Sequence, residues 1–509
     1  MPITNYQNPG VYVTQASNPV YTSANNAALN ICFIGNSTTV PSGYFTDRYL
    51  YTGTISGTTN TVQSGTFSQT AISGTVTVLY GNGVPMTLGS GIATGGTVTA
   101  CSGGDYALVY SGGYATGWVL SSGSAVVISG GTRQWITAKY WYPTAVNNTI
   151  YTFADFNSVQ SVFGSPFNFS GQTASVKSPV SLAAYLAFQN GAQVVSCVNI
   201  SGTTNNTEQN YLNFITSTSG GLSVNPDIDV LVPLVPVTTT GVLMAGLASY
   251  LDYQSTVGIY QRAFVGLSQE VTNATLVSTV NSLVSSGTST RMTLVAPSKL
   301  QVNPGLNSVT GLSNSTFNVD GYYLAAAVAG VFVGQDDVYV PITHKNIVGF
   351  TTIPNQISSN DSTTLQSLGC TVVRQKPDGT IYIRQGLTTN TSNWMTQEIS
   401  INAIGDRLSQ NIQNALESSF IIGSPLTQNT LSSMHSIILA TLMAGVDTNL
   451  IQSFQNLSYQ LDIANPTTVN VTFQYSPTLP LNYVQVTMSV NSQSGLITTA
   501  SNISSSAIA

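Results

Sequence analysis

The sequence predicts a multidomain α+β or α/β protein. Its core is an α/β sandwich formed by the N- and C-terminal parts of the chain, with an inserted antiparallel β domain and extended arms at both ends. Three observations lead there. Helix-like and strand-like apolar runs alternate through the middle of the chain, as in SPVSLAAYLAFQNG followed by AQVVSCVNI, the pattern of helices packed on a sheet. Between Arg48 and Asp105 no charged residue occurs, and Gly, Thr, Ser and Val dominate. Strand-prone residues also stand near both ends, outside the alternating region.

The 509 residues suggest roughly three domains at about 150 residues each. Residues 1–27 read as an arm: Pro9-Gly10 is turn chemistry, and Val11, Tyr12 and Val13 prefer strand. ALNICFIGN, from Ala28, is a short buried strand. Residues 28–43 and 142–320 form the N-terminal part of the core. Residues 44–141 form the insertion, where alternating positions broken by GN, GG and SG mark short strands and tight turns. In FADFNSVQSVFG, residues Phe153, Phe156, Val159 and Phe163 lie close to helical spacing. The next helix has Ser178 as N-cap, Pro179 at its first position, and Asn190-Gly191 at its end. PDIDVLVPLVP is a further buried strand.

Residues 321–480 form a C-terminal domain. YYLAAAVAGVFVGQ is an apolar core helix, and VVRQKPDGTIYIRQG a hairpin turning at Pro377-Asp378-Gly379. Ile404, Leu408, Ile412, Leu416 and Phe420 make one apolar stripe, and Leu431, Met434, Ile438 and Leu442 another. Val469, Val471, Phe473 and Tyr475 share a strand face. Residues 481–509 carry an arm strand, with Val484, Val486, Met488 and Val490 on one face, and then a Ser/Ala/Ile-rich tail.

Charge is the unusual number. Asp, Glu, Lys and Arg make up 6% of residues, with a net charge of −6, against about 25% in typical domains. A neutral amide and hydroxyl surface repels neighbouring copies little, which suits surfaces buried against copies of the same chain. No basic footprint for nucleic acid or cluster for an anionic membrane is visible. The longest apolar stretches run for about 12 residues, too short to span a bilayer. Cys32, Cys101, Cys197 and Cys370 are far apart and read as buried free thiols in a reducing cytoplasm.

Chemistry is hard to assemble. The two histidines are isolated: His435 on an apolar helix, as a core or interface residue, and His344 in a loop beside Lys345. Asp336-Asp337 is the only adjacent acidic pair and lacks a third carboxylate nearby. Asp227 and Asp229 flank a strand start. No phosphate loop, nucleophile elbow or metal-binding histidine pair occurs. The expectation is no enzyme, no cofactor, no catalytic residue and no metal site.

The order of these segments resembles contractile phage tail sheath proteins. PGVYV is similar to the start of that family. FADFNSVQSVFG, followed by SLAAYLAFQNGAQVVSCVNI, looks like its "FG" segment, helix and strand. The segment YYLAAAVAGVFVGQDDVYVPITHKNIVGF is similar to its "AG" helix and Pro–Asn loop. LGCTVVRQKPDGTIYIRQGLTT with Trp394 resembles its hairpin. The helix with Asp406-Arg407, then FIIGSP and SPTLPLNYVQVTMSV complete the series. The likeness covers residues 1 to 40 and about 145 to 490. It departs in charge poverty, and GVFVGQ stands where the family often has a basic residue. Residues 44–141 match no conserved part; such insertions commonly face outward.

The resemblance implies a structural subunit that stacks as hexameric rings in a helical sleeve around an inner tail tube and contracts to drive the tube through a host envelope. It implies a virion tail location after assembly in the host cytoplasm. Its partners would be further copies of the chain, the tube protein, and baseplate and tail terminator proteins, with no direct nucleic acid and no membrane insertion. The arms would add strands to neighbouring subunits: Val11, Tyr12 and Val13 from one end, and Val484, Val486, Met488 and Val490 from the other. The tube-facing helix would carry Leu431, Met434, His435, Ile438 and Leu442. The alternatives are a β-rich surface adhesin, suggested by the Gly/Thr/Ser-rich insertion, another self-assembling virion protein, and a hydrolase hidden in the α/β part.

Overall fold

The structure is a computed structural model. It describes residues 28–37, 42–50, 64–72, 74–79, 85–94, 97–103, 105–111, 114–120, 135–170, 173–200, 207–217, 222, 227–237, 239, 241–304, 316–419, 421–487, 489–490 and 497–498. The arm residues Val11, Tyr12 and Val13, together with Phe420 and Met488, lie outside them.

A nine-stranded mixed sheet organises the α/β part. Its order is Ile150–Phe153, Val194–Asn199, Asn30–Gly35, Val230–Pro233, Arg262–Gly266, Met292–Ala296, Cys370–Gln375, Ile381–Ile383 and Asn346–Ile347. The six strands from Val194–Asn199 to Cys370–Gln375 run parallel. Antiparallel strands close both edges. The sheet runs continuously across residue 320, because Met292–Ala296 pairs with Cys370–Gln375.

Both faces of the sheet are covered, as a parallel sheet requires. Successive side chains of a strand point to opposite faces. Ile31 and Phe33 therefore enter one core, and Cys32 and Ile34 the other. The first core is roofed by the helices Phe156–Phe163, Pro179–Gln189, Gly321–Val333 and Ile399–Ser418. The second is roofed by Glu208–Ile215, Val242–Thr256, Asn273–Ser286 and Ser359–Ser367.

Local signals explain several helix bounds. Ser178 Oγ accepts a hydrogen bond from Ser181 N, Pro179 opens the helix, and Gly191 follows its end at φ +107°. The expected helix around Phe153 begins later, at Phe156. Asp155 Oδ1 accepts from Ser158 N at 2.9 Å and fixes that start, and Phe153 belongs to the preceding edge strand. The Gly321–Val333 helix is buried throughout. It passes so close to Pro179–Gln189 that a Cβ on Gly330 would stand 2.8 Å from the Ala187 Cα.

The described residues between Ser42 and Pro143 are mostly strands and have a separate apolar core. Ser42–Leu50 pairs with Trp135–Pro143 along its whole length, Ser42 opposite Pro143 and Leu50 opposite Trp135. In this core Phe67 and Trp118, from the strands Ser64–Ala71 and Tyr114–Leu120, cluster with Ile136 and Tyr140. Buried Asp47 accepts from Tyr140 Oη at 2.6 Å and from Ser68 N at 2.8 Å.

Candidate assembly surfaces

Cys32, Cys197 and Cys370 are buried free thiols, and burial pushes the Cys32 thiol up to about 12. His344 is an exposed loop residue with φ +61° whose ring stacks on Tyr382. His435 is half-buried, with its ring centroid 5.9 Å from that of Tyr459. Asp337 Oδ1 accepts its neighbour's backbone, Val338 N, at 2.7 Å. Asp229 Oδ2 accepts from Asn30 N at 2.8 Å, which ties down the start of the Asn30–Gly35 strand. Among the described residues no group of three His, Cys, Asp or Glu is placed to hold a metal ion. No described helix is long and apolar enough to cross a membrane.

The C-terminal elements present the open surfaces. Ile399–Ser418 begins five residues before the predicted stripe and buries Ile404, Leu408, Ile412 and Leu416. The helix Gln428–Asp447 starts at Thr427, whose Oγ1 accepts from Thr430 N at 3.2 Å. It packs on Ile399–Ser418 and on the strand Ile451–Leu461. Met434, Ile438 and Leu442 point into the protein's own core. An apolar stripe is buried first by its own chain, so any surface this helix offers a partner is its other face. Leu431 packs partly against the same core. The outward face carries Ser432, Ser433, Ser436, Ala440, Met443 and Ala444.

A long hairpin follows, Ile451–Leu461 against Val469–Pro477. Val469, Val471, Phe473 and Tyr475 share the inward face as predicted. The other strand changes parity at a bulge between Gln455 and Ser458, where Asn456 takes φ +57°. The bulge lets both Phe454 and Leu457 reach the core. Each strand has one partner among the described residues, so the outer edges stay open. Ile463 in the turn is 91% exposed.

The expected strand over Val484–Val490 does not form over most of its length. Only Ser489–Val490 pairs, with Ile497–Thr498, and residues 481–487 run without a ladder. A strand needs a partner for its backbone groups, and the described residues offer none to them. Leu481, Tyr483, Val484 and Val486 are 82%, 80%, 75% and 68% exposed. The root of the segment is nevertheless fixed. Asn482 Nδ2 donates to Glu398 Oε2 at 3.1 Å, Gln385 Nε2 donates to the same oxygen at 3.3 Å, and Tyr483 Oη donates to Gln385 Oε1 at 3.2 Å. Burial pushes the Glu398 carboxyl up to about 7.

One charged cluster escaped the sequence reading. Asp406, on the buried side of Ile399–Ser418, pairs with Arg262 at the head of one parallel strand and Arg291 beside the next. Arg291 Nη2 lies 2.7 Å and Nε 3.0 Å from Asp406 Oδ1, and the Arg262 guanidinium holds Oδ2. The readable signal was Asp406 itself, seven residues after Ile399 and three after Ala403 on an apolar face.

No family model matches the chain. It is 27% identical over 369 residues to the tail sheath protein of Mycobacterium phage Bxz1, across 71% of this chain and 60% of that protein. The match thus spans about three-fifths of the relative's length. Among solved structures, the contracted helical sheath of the anti-feeding prophage covers 96% of this chain and 100% of its own at a TM-score of 0.53 and 12% identity. The contracted PVC sheath complex of an extracellular contractile injection system covers 96% and 99%, at 0.53 and 9% identity. These two likenesses show a shared fold.

Proposed function

We propose, for a chain that resembles contractile tail sheath proteins in sequence and shares the sheath fold, that it is a structural subunit of a contractile sheath. Copies would stack as hexameric rings around an inner tube, attached to baseplate and terminator proteins, and contract to drive the tube through a host envelope. The observation that carries this reading is the C-terminal segment 481–487. It is rooted at Asn482, unpaired among the described residues, and exposes four large apolar side chains. The open edges of the Ile451–Pro477 hairpin are the complementary feature.

Main-chain hydrogen bonding joins such surfaces without charge, which suits a chain with 6% charged residues. In this reading Val484, Val486, Met488 and Val490 enter a neighbour's sheet, as do Val11, Tyr12 and Val13. The outward face of Gln428–Asp447 meets the tube through Ser436, Ala440 and Met443, with Leu431 and His435 at its margin. Contraction is rigid-body movement of subunits between two packings. Residues 44–141 lie on the outside. The place of work is a virion tail, built in the host cytoplasm.

The test is electron microscopy of the purified full chain beside two truncations, one lacking residues 1–15 and one ending at Pro480. Regular tubes or rings are expected from the full chain, and folded, unpolymerised protein from the truncations. Dispersed monomers of the full chain at high concentration defeat the reading. Tubes from both truncations defeat the role given to the arms.

A further inference from the structure

The chain has twelve Lys and Arg residues, and they are not evenly spread. Lys345, Arg374, Lys376 and Arg384 all belong to one edge of the large sheet, where Asn346–Ile347, Ile381–Ile383 and Cys370–Gln375 meet. The register places Arg374 opposite Tyr382, and Tyr382 opposite Asn346. Lys376 and Arg384 follow Arg374 and Tyr382 by two residues, so these three cations share the Tyr382 face, and Lys345, one residue before Asn346, flanks it.

These cations are held but not neutralised. The ion pairs of Arg262 and Arg291 with Asp406 lie elsewhere. Arg374 Nη1 donates to Ser359 Oγ at 3.4 Å, and Arg384 Nη2 to Thr363 Oγ1 at 3.3 Å, one turn apart on the Ser359–Ser367 helix. Arg384 Nη1 is buried and has no acceptor among the described residues. Lys376 Nζ lies 5.2 Å from the Tyr382 ring centroid, and His344 stacks on that ring at 5.6 Å and 13°. Two acids stand nearby. Asp361 Oδ2 accepts from Ser358 Oγ. Asp378 Oδ1 accepts from Thr380 N, and that bond, with a smaller contribution from the Lys376 charge, holds its carboxyl below the usual range, so Lys376 is offset in part and the two arginines are not.

We propose that this edge is a cationic contact surface that receives a carboxylate-bearing surface of a second copy of the chain. Charge complementarity selects that occupant. The remainder of the chain holds eight cations against sixteen acids, and Asp155, Asp227, Glu270, Asp336, Glu417 and Asp447 are exposed. Each copy therefore presents one concentrated positive edge and an otherwise negative exterior. Guanidinium groups fixed by hydroxyls are pre-organised to take carboxylates. A polynucleotide is disfavoured, because the net charge of −6 repels a polyanion beyond the reach of four cations. Two different patches on one chain make a head-to-tail contact, which propagates into rings or filaments. The inference rests on the sheath reading only in requiring copies to meet in an ordered polymer.

The experiment is sedimentation velocity and negative-stain microscopy of the full chain, from about 0.02 to about 0.5 M salt. Wild type is compared with Lys376→Glu, Lys376→Arg and the triple variant Arg374→Gln, Lys376→Gln, Arg384→Gln. Wild-type association should weaken with salt. Lys376→Glu and the triple variant should associate about tenfold more weakly at low salt and lose most of the salt slope. Lys376→Arg should match wild type. Lys376 is exposed, so Lys376→Glu should keep the wild-type melting temperature even if the triple variant does not fold. Tubes that form equally from Lys376→Glu with an unchanged salt slope overturn this contact and leave the sheath reading standing. Tight binding of a mixed-sequence oligonucleotide to the wild type, lost in Lys376→Glu, also overturns it. A full chain that never associates removes the sheath reading, and this contact with it.

Discussion

Two carboxylates with different surroundings dominate the residue scale. Asp406 is 6% exposed between two guanidiniums. Asp406→Asn would leave both cations buried without their counter-charge, a change that typically costs about 3–5 kcal/mol. Chemical denaturation should show a midpoint shift of that size, and a shift below about 1 kcal/mol would mean that the cluster behaves like a surface pair. Glu398 is different: burial lifts its pKa from 4.5 to about 7. The folded state then holds the proton more tightly than the unfolded state. The associated stability is fully present below pH 4.5 and is lost as pH rises through about 7. The span is about 3 kcal/mol. Glu398→Gln should flatten stability between those pH values, as read from thermal melts across the range. An unchanged slope places the titration elsewhere.

At the scale of elements, the sequence reading succeeded where pattern and burial agree. The strands at Asn30, Val194 and Val230, the hairpin at Pro377-Asp378-Gly379, and the helices at Pro179, Gly321, Ile399 and Gln428 all follow from periodicity and caps. It had no account of the stretch Val242–Ala296. There Asn273–Ser286 reads NATLVSTVNSLVSS, rich in β-branched and hydroxyl residues of low helix propensity. Burial of Leu276, Val280 and Leu283 makes it a helix. The strand at Arg262 opens on a charge, and its partner Asp406 stands 144 residues away, beyond any local signal. The C-terminal segment differs for the opposite reason: alternation describes what residues 481–487 can pair with, and the described residues of this chain supply no partner strand. Close packing gives its own prediction. Gly330→Val should destabilise by about 1–3 kcal/mol, measured by urea denaturation, because the new side chain meets the Ala187 backbone. A neutral result would show that the two helices can separate.

Across the whole molecule, the scarcity of charge acquires a pattern. Two of the twelve cations serve a buried aspartate, and four gather on one sheet edge. The exposed apolar groups concentrate elsewhere, at the hairpin turn and along residues 479–486. The two proposed contacts would respond differently to conditions. A contact through the cationic edge would weaken with salt, and strand pairing with apolar burial would not.

The helix Ile399–Ser418 also joins these regions mechanically. Asn482 is tied to Glu398, and Asp406, eight residues along from Glu398, is fastened to two adjacent parallel strands. With residues 481–487 seated in a neighbour as proposed, a tensile load would be carried first by a hydrogen bond at the head of the helix. It would then pass along the helix axis and into the strand ladder, so that the best-buried layer of the protein, and not the peripheral hairpin, would bear the strain between neighbours.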